Sequence, residues 1–87
     1  MEENAKYELL KDDTIVINGT KLYRVRALKS FGNVKKGDIG GYIESSDNLS
    51  IHGEGWVYDE FWVSGNAWKD SNGRFYGEPL AFGVQTY

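Results

Sequence analysis

Apolar and polar positions follow two rhythms along this chain. The first is that of paired strands: TIVI, then Asn18-Gly19, then TKLYRVRAL. Asn-Gly between two β-rich runs is the preferred two-residue type I′ loop, because both central residues need positive φ and these two tolerate it best. A hairpin is predicted, and the loop sets its register: Ile17 opposite Thr20, Ile15 opposite Leu22, Asp13 opposite Arg24. Alternation puts Tyr23, Val25 and Ala27 on one face of the second strand and Leu22, Arg24 and Arg26 on the other. Arg24 then has Asp13 as a partner, and Arg26 is the freer arginine. Upstream, AKYELLK suits either a strand or one helical turn covering the edge of a small core.

From Asn48 the rhythm changes to a period of six. Residues 48 to 83 divide into six hexads, NLSIHG, EGWVYD, EFWVSG, NAWKDS, NGRFYG and EPLAFG. The sixth place is turn-tolerant, and five of the six fourth places are apolar: Ile51, Val57, Val63, Phe75 and Ala81, with Lys69 the exception. Short strands joined by tight corners have this grammar, as in a β-helix whose coil takes about eighteen residues. After Trp68 the hexads degrade, and two geometries compete. In a continuing β-helix Trp62 stacks on Leu80 and Val63 on Ala81; alternatively, residues 61–69 and 74–82 pair antiparallel across Ser71-Asn72-Gly73, and this hairpin ending is favoured. The expected fold is all-β: an N-terminal β-hairpin, then a short β-helix-like hexapeptide-repeat segment ending in a hairpin. One domain, 1–87, divides into strand and hairpin (1–30), a glycine-rich connector (31–47) and the hexads (48–87).

Composition narrows the chemistry. Eighty-seven residues make one small domain with a modest core, and with no cysteine and a single His52 neither disulfides nor Cys/His zinc clusters are available to staple it. Oligomerisation is the remaining common staple. The start MEENAKYELL has acids where a signal peptide has basic residues, and no long apolar run follows, so a cytoplasmic protein without a membrane span is expected. The net charge of −3 divides into blocks of −3 over residues 1–19, +6 over 20–37 and −6 over 38–87. Such blocks pair with each other, meet a charged partner or bind an anion. VKKGDIGG, with Gly40-Gly41, lacks the spacing of a phosphate-binding loop and is not followed by a helical pattern. The glycine pair instead suggests a sharp turn or backbone packed on backbone.

The pieces LYRVRAL, VKKGDIGGYIES and DNLS, followed by GEGWVYDEFWVSGNAW, resemble the N-terminal portion of small bacteriophage and prophage proteins in which such a segment leads into hexads of the type x-Ala-x-Val-x-Gly. The resemblance covers about residues 6 to 68. It implies a left-handed β-helix of the hexapeptide-repeat, "polymer-forming" kind, without an assigned biochemical activity.

Acyltransferases built on that helix use a histidine base, but His52 has no identifiable carboxylate partner in the sequence, so no catalytic residue is expected. Nor is a cofactor or metal. If Val57 and Val63 point inward, Trp56 and Trp62 point outward with Tyr58. Either the N-terminal hairpin covers these indoles or they anchor an interface. Acidic Glu44, Asp47, Glu54, Asp59 and Glu60 surround them, a surface suited to the basic groove of a nucleic-acid-handling enzyme. The expected function is therefore non-catalytic binding by a phage accessory protein, an anti-CRISPR-type inhibitor of a bacterial defence system that touches its host protein through Trp56, Tyr58, Asp59, Glu60 and Trp62. Two rivals are a self-associating β-helix module forming homo-oligomers, and a nucleotide or nucleic-acid binder using Lys21, Arg26, Lys29, Lys35 and Lys36.

Overall fold

The N-terminal third forms the hairpin that its alternation requires. The computed structural model describes residues 4–58, 61–65, 67–76 and 82–84. Strand β1 (Tyr7–Ile17) pairs antiparallel with β2 (Thr20–Ala27). Asn18 (φ 52°) and Gly19 (φ 81°) take the two left-handed positions of the loop. Ile17 faces Thr20 and Ile15 faces Leu22, as predicted. The expected pairing of Asp13 with Arg24 fails, because residues 11–13 bulge out and Arg24 stands opposite Leu10. The bulge still delivers Asp13 to Arg24, at 3.6 Å, and to the Tyr42 hydroxyl, which donates to its carboxylate at 2.8 Å. Arg24 also lies over the Tyr42 ring.

Three further strands extend the sheet: β3 (Ile39–Ile43), β4 (Phe61–Val63) and β7 (Phe82–Val84), in the order β1-β2-β3-β4-β7. The sheet is mixed: β3 pairs antiparallel with β2 and parallel with β4, while β4 pairs antiparallel with β7. Parallel neighbours need a long crossover. Here it contains one 3₁₀ turn, η1 (Ser46–Asn48). Gly40 and Gly41 explain themselves at this crossover. A side chain on Gly41 would overlap the carbonyl oxygens of Tyr58 and Phe61, and one on Gly40 would meet that of Val57. The pair lets backbone pack on backbone.

Beyond β4, β5 (Trp68–Lys69) and β6 (Phe75–Tyr76) form a second antiparallel pair across Ser71-Asn72-Gly73. Both β5-β6 and β4-β7 thus pair antiparallel. Trp62 faces Gly83 and Val63 faces Phe82, which corrects the stacking expected for a continuing helix; Leu80 and Ala81 lie outside the described residues. The remaining parallel contacts, Tyr42 with Trp62, Ile43 with Val63 and Leu49 with Lys69, share an offset of twenty residues, where a hexad coil predicts eighteen.

The core lies between the sheet and the crossover, with Tyr7, Val25, Ala27, Val34, Ile43, Leu49, Trp56, Val57, Val63 and Ala67 buried together. The second and fourth hexad places face it at Leu49, Val57, Val63, Ala67 and Lys69. Trp56 corrects the outward expectation. It is 3% exposed, covered edge-on by Tyr7 and Phe31. The N-terminal segment, bound to the crossover, closes the core over an indole that local alternation would leave outside.

Two polar side chains hold that closure. Lys6 is 1% exposed, and its ammonium donates to the carbonyls of Gly55 (2.6 Å), Ser50 (2.9 Å) and His52 (3.3 Å). Burial, with the charges of Lys29 and Lys69, lowers its pKa from 10.5 to about 8. Beside it the Tyr7 hydroxyl donates to Leu49 O (2.5 Å) and Ser46 O (3.1 Å), and burial raises the phenol's pKa. Asn48 joins the two passes of the crossover. Its buried amide donates to Ala67 O (2.7 Å) and Gly65 O (3.1 Å), and its oxygen accepts from Ser45 N (2.9 Å) and Glu44 N (3.1 Å).

Candidate functional site

The two faces of β5 carry different chemistry, because adjacent residues of a strand point to opposite sides. Lys69 turns inward. Its ammonium donates to the Trp56 carbonyl and lies 5.3 Å from the centre of the Tyr58 ring, and burial lowers its pKa. It borders an open cavity of about 580 Å³ shared with Glu54, Tyr58 and the glycine-rich backbone of 53–55 and 71–73. Those glycines serve packing: a side chain on Gly55 would overlap Asp70 O, and one on Gly53 would meet Ser71.

Trp68 turns outward and stacks on Tyr76, its cross-strand partner, with ring centroids 4.6 Å apart and planes 19° apart. Each is 41% exposed. The pair is held rigidly for a surface feature. Tyr76 donates its hydroxyl to Asp70 (2.9 Å), and the other oxygen of Asp70 accepts from the amides of Asn72 and Arg74, each 2.9 Å. These bonds, that from Arg74 N foremost, pull the Asp70 carboxyl below its usual range, while the bond to Asp70 pushes the Tyr76 phenol up. Trp68 also lines a second cleft, of about 370 Å³, together with Asn4, the η1 turn and residues 49–52.

Of the residues expected to form a protein-binding patch, the structure withdraws Trp56 from the surface. Tyr58 is 50% exposed, Trp62 is half-buried, and Asp59 and Glu60 lie outside the described residues. Trp56 belongs to the core. Exposed aromatic surface is instead offered by Phe61, Tyr58, Trp68 and Tyr76. The signal for the last two was present: an exposed cross-strand aromatic pair flanking Asp-Ser-Asn-Gly is what a hairpin with those residues would show.

The basic segment is likewise divided. Lys29, Lys35 and Lys36 are exposed on the loop after β2, but Lys21 stands near the opposite end of that strand. Arg26, expected to be the freer arginine, is paired with Glu8, to which its Nε donates at 2.7 Å. A single anion-binding surface through all five is not assembled. Among the described residues no three His, Cys, Asp or Glu side chains are grouped as a metal site requires, and no helix is long and apolar enough to cross a membrane. His52 is exposed in the second cleft, its amide donating to Ser50 Oγ at 3.1 Å.

No protein-family model matches the chain, and no curated protein matches it. What the fold defines is a class: an all-β protein with a mixed sheet, a second two-stranded ribbon and, among the described residues, one 3₁₀ turn.

Proposed function

We propose that this chain is a non-catalytic binding protein of the phage or prophage accessory kind, which inhibits a bacterial defence system by contacting one of its proteins in the host cytoplasm. The observation that carries the reading is the exposed, stacked Trp68–Tyr76 pair. Large aromatics left half in water are costly unless something covers them, and rigid tryptophan and tyrosine side chains are the usual anchors of protein interfaces. The half of the chain that bears them carries a net charge of −6, which favours a basic partner. The resemblance of residues 6 to 68 to phage hexapeptide-repeat proteins supports the biological setting. In the same reading residues 42–69 are a single β-helix-like coil ending in the β5-β6 hairpin, which the shared twenty-residue offset of the parallel contacts supports.

The test is phage plating on bacteria that carry an active defence system, with and without this protein expressed, beside a folded Trp68→Ala/Tyr76→Ala variant. The original is expected to restore plating and to co-purify with a protein of that system, and the variant to do neither. Unchanged plating against a panel of such systems, with the protein recovered only as a discrete homo-oligomer, would sink the inhibitor reading in favour of a self-associating module.

A further inference from the structure

The cleft beside Trp68 has a definite chemistry. Trp68 and the exposed Asp47 both line it, with Asn4, Ser46, Ser50 and His52 as its other polar residues and Leu49 and Ile51 as its apolar ones. We propose that this cleft receives an arginine side chain of a basic protein partner, the guanidinium lying on the Trp68 face and pairing with Asp47. The proposal rests on the protein-contact reading above and names the group that the partner must present.

Three features point to a guanidinium. A planar cation stacks on an indole better than on any other side chain, and arginine does so at lower desolvation cost than lysine. A carboxylate accepts two parallel N–H bonds from the same group. Finally, the indole is braced and the backbone that bears Asp47 is fixed before anything binds. Trp68 is braced by Tyr76, which Asp70 holds; Asp47 sits on η1, where Ser45 Oγ accepts its amide at 3.3 Å and the four bonds of Asn48 fix the turn. Little ordering is left for binding to require.

One charge opposes the guest. Lys6 approaches the 50–55 loop from the core side, so its ammonium lies behind the cleft. That ammonium is buried and donates to three carbonyl oxygens, whereas the Asp47 side chain is exposed and open to a guest. The cavity around Lys69 also holds Glu54, but there an inward cation, bonded to Trp56 O and near the Tyr58 ring, already occupies the site and repels a second one.

The probe is the acetylated, amidated tripeptide Gly-Arg-Gly, titrated into the ¹⁵N-labelled protein while the three indole N–H resonances are followed by NMR. The Trp68 resonance, assigned by its loss in Trp68→Phe, is expected to shift saturably, with those of Trp56 and Trp62 unchanged. The citrulline counterpart, which keeps the plane but lacks the charge, is expected to bind at least about tenfold more weakly, and Asp47→Asn to weaken the arginine peptide by about tenfold, roughly the effect of one charge-assisted hydrogen bond. Equal binding of the arginine and citrulline peptides, or a response to maltose alone, would overturn the proposal and make the cleft a neutral or carbohydrate site. No shift at Trp68 with any probe would overturn it as well. The two levels of the argument separate in the plating assay. If the protein inhibits and Asp47→Asn inhibits equally, the arginine cleft fails and the inhibitor reading stands; if arginine binds at Trp68 but plating never changes, the reverse holds.

Discussion

Replacing Lys6 with methionine tests how the core is closed. Methionine keeps an unbranched apolar stem of similar reach and removes only the ammonium. The carbonyls of Gly55, Ser50 and His52 then lose their donor. The bond to Gly55 is fully buried, whereas those to Ser50 and His52 are only partly buried, where water can replace the lysine. A buried carbonyl left without a partner costs about 1–3 kcal/mol and two partly wet ones add a fraction of that each, while loss of the ammonium relieves part of its burial cost, so a net loss of about 1–3 kcal/mol is expected. For a domain of this size each 1 kcal/mol shifts the midpoint by about 4–8 °C. Thermal unfolding followed by near-UV circular dichroism at pH 7 should therefore show a fall of at least about 4 °C. A shift under about 3 °C would mean that the ammonium is no structural clasp.

The same residue sets a sign in pH. Burial holds the Lys6 pKa near 8 in the folded chain against 10.5 when unfolded. Between those values the unfolded chain binds more protons, so this group makes stability rise with pH from about 8. Below pH 8 both states are protonated and its cost is fully present. Lys69, also lowered by burial, acts in the same direction. Tyr7 acts oppositely at higher pH, since its phenol must stay protonated to fold. In Lys6→Met the rise between pH 8 and 10 should be shallower than in the original; a rise of unchanged slope would refute the assignment to Lys6.

Three other substitutions separate core from surface. Trp56→Ala empties a site bounded by Tyr7 and Phe31 and should cost about 3–5 kcal/mol in urea unfolding, unfolding much of the protein, unlike the loss of a surface anchor. Asn48→Ala strips four backbone groups of their partner and should lower the urea midpoint by the equivalent of about 2–4 kcal/mol. Gly41→Ala places a methyl group against the carbonyls of Tyr58 and Phe61 and is expected to leave insoluble or unfolded protein, measured as the soluble fraction.

What could be read from the sequence was local. Asn18-Gly19 specifies a two-residue loop through φ alone, so the hairpin and its first two pairings follow without any knowledge of the rest. The bulge at 11–13 escapes the same reasoning because it answers to Tyr42, on a strand that pairs with β2, and not to the loop. Hexad places two and four point inward at Leu49, Val57, Val63, Ala67 and Lys69, with Phe61 the exposed exception. The offset of twenty was hidden: it is set by pairing with β3, which precedes the hexads and does not share their period. The hexad pattern does not mark the Trp68–Tyr76 pair, because the pair stands where that pattern breaks and depends on the hairpin that replaces it.

Trp56 and Lys69 make the physical reason plain. In hexad terms Trp56 is outside and Lys69 is an error, yet both are buried, and the Lys69 ammonium is bonded to the Trp56 carbonyl. A chain with so small a core cannot leave either face of its crossover bare. Residues 4–7 and Phe31 cover the face that bears Trp56, and two lysines supply donors to carbonyls that the irregular crossover leaves outside any ladder. A buried lysine is costly in isolation but useful where several carbonyls converge, because its three protons reach acceptors that no strand can pair. The departures from the hexad grammar are thus concentrated where one pass of backbone meets another. That concentration also leaves the Trp68 side of β5 exposed. The first chain segment is bound over Trp56, so that indole is closed to a partner while the stacked Trp68–Tyr76 face stays open to one.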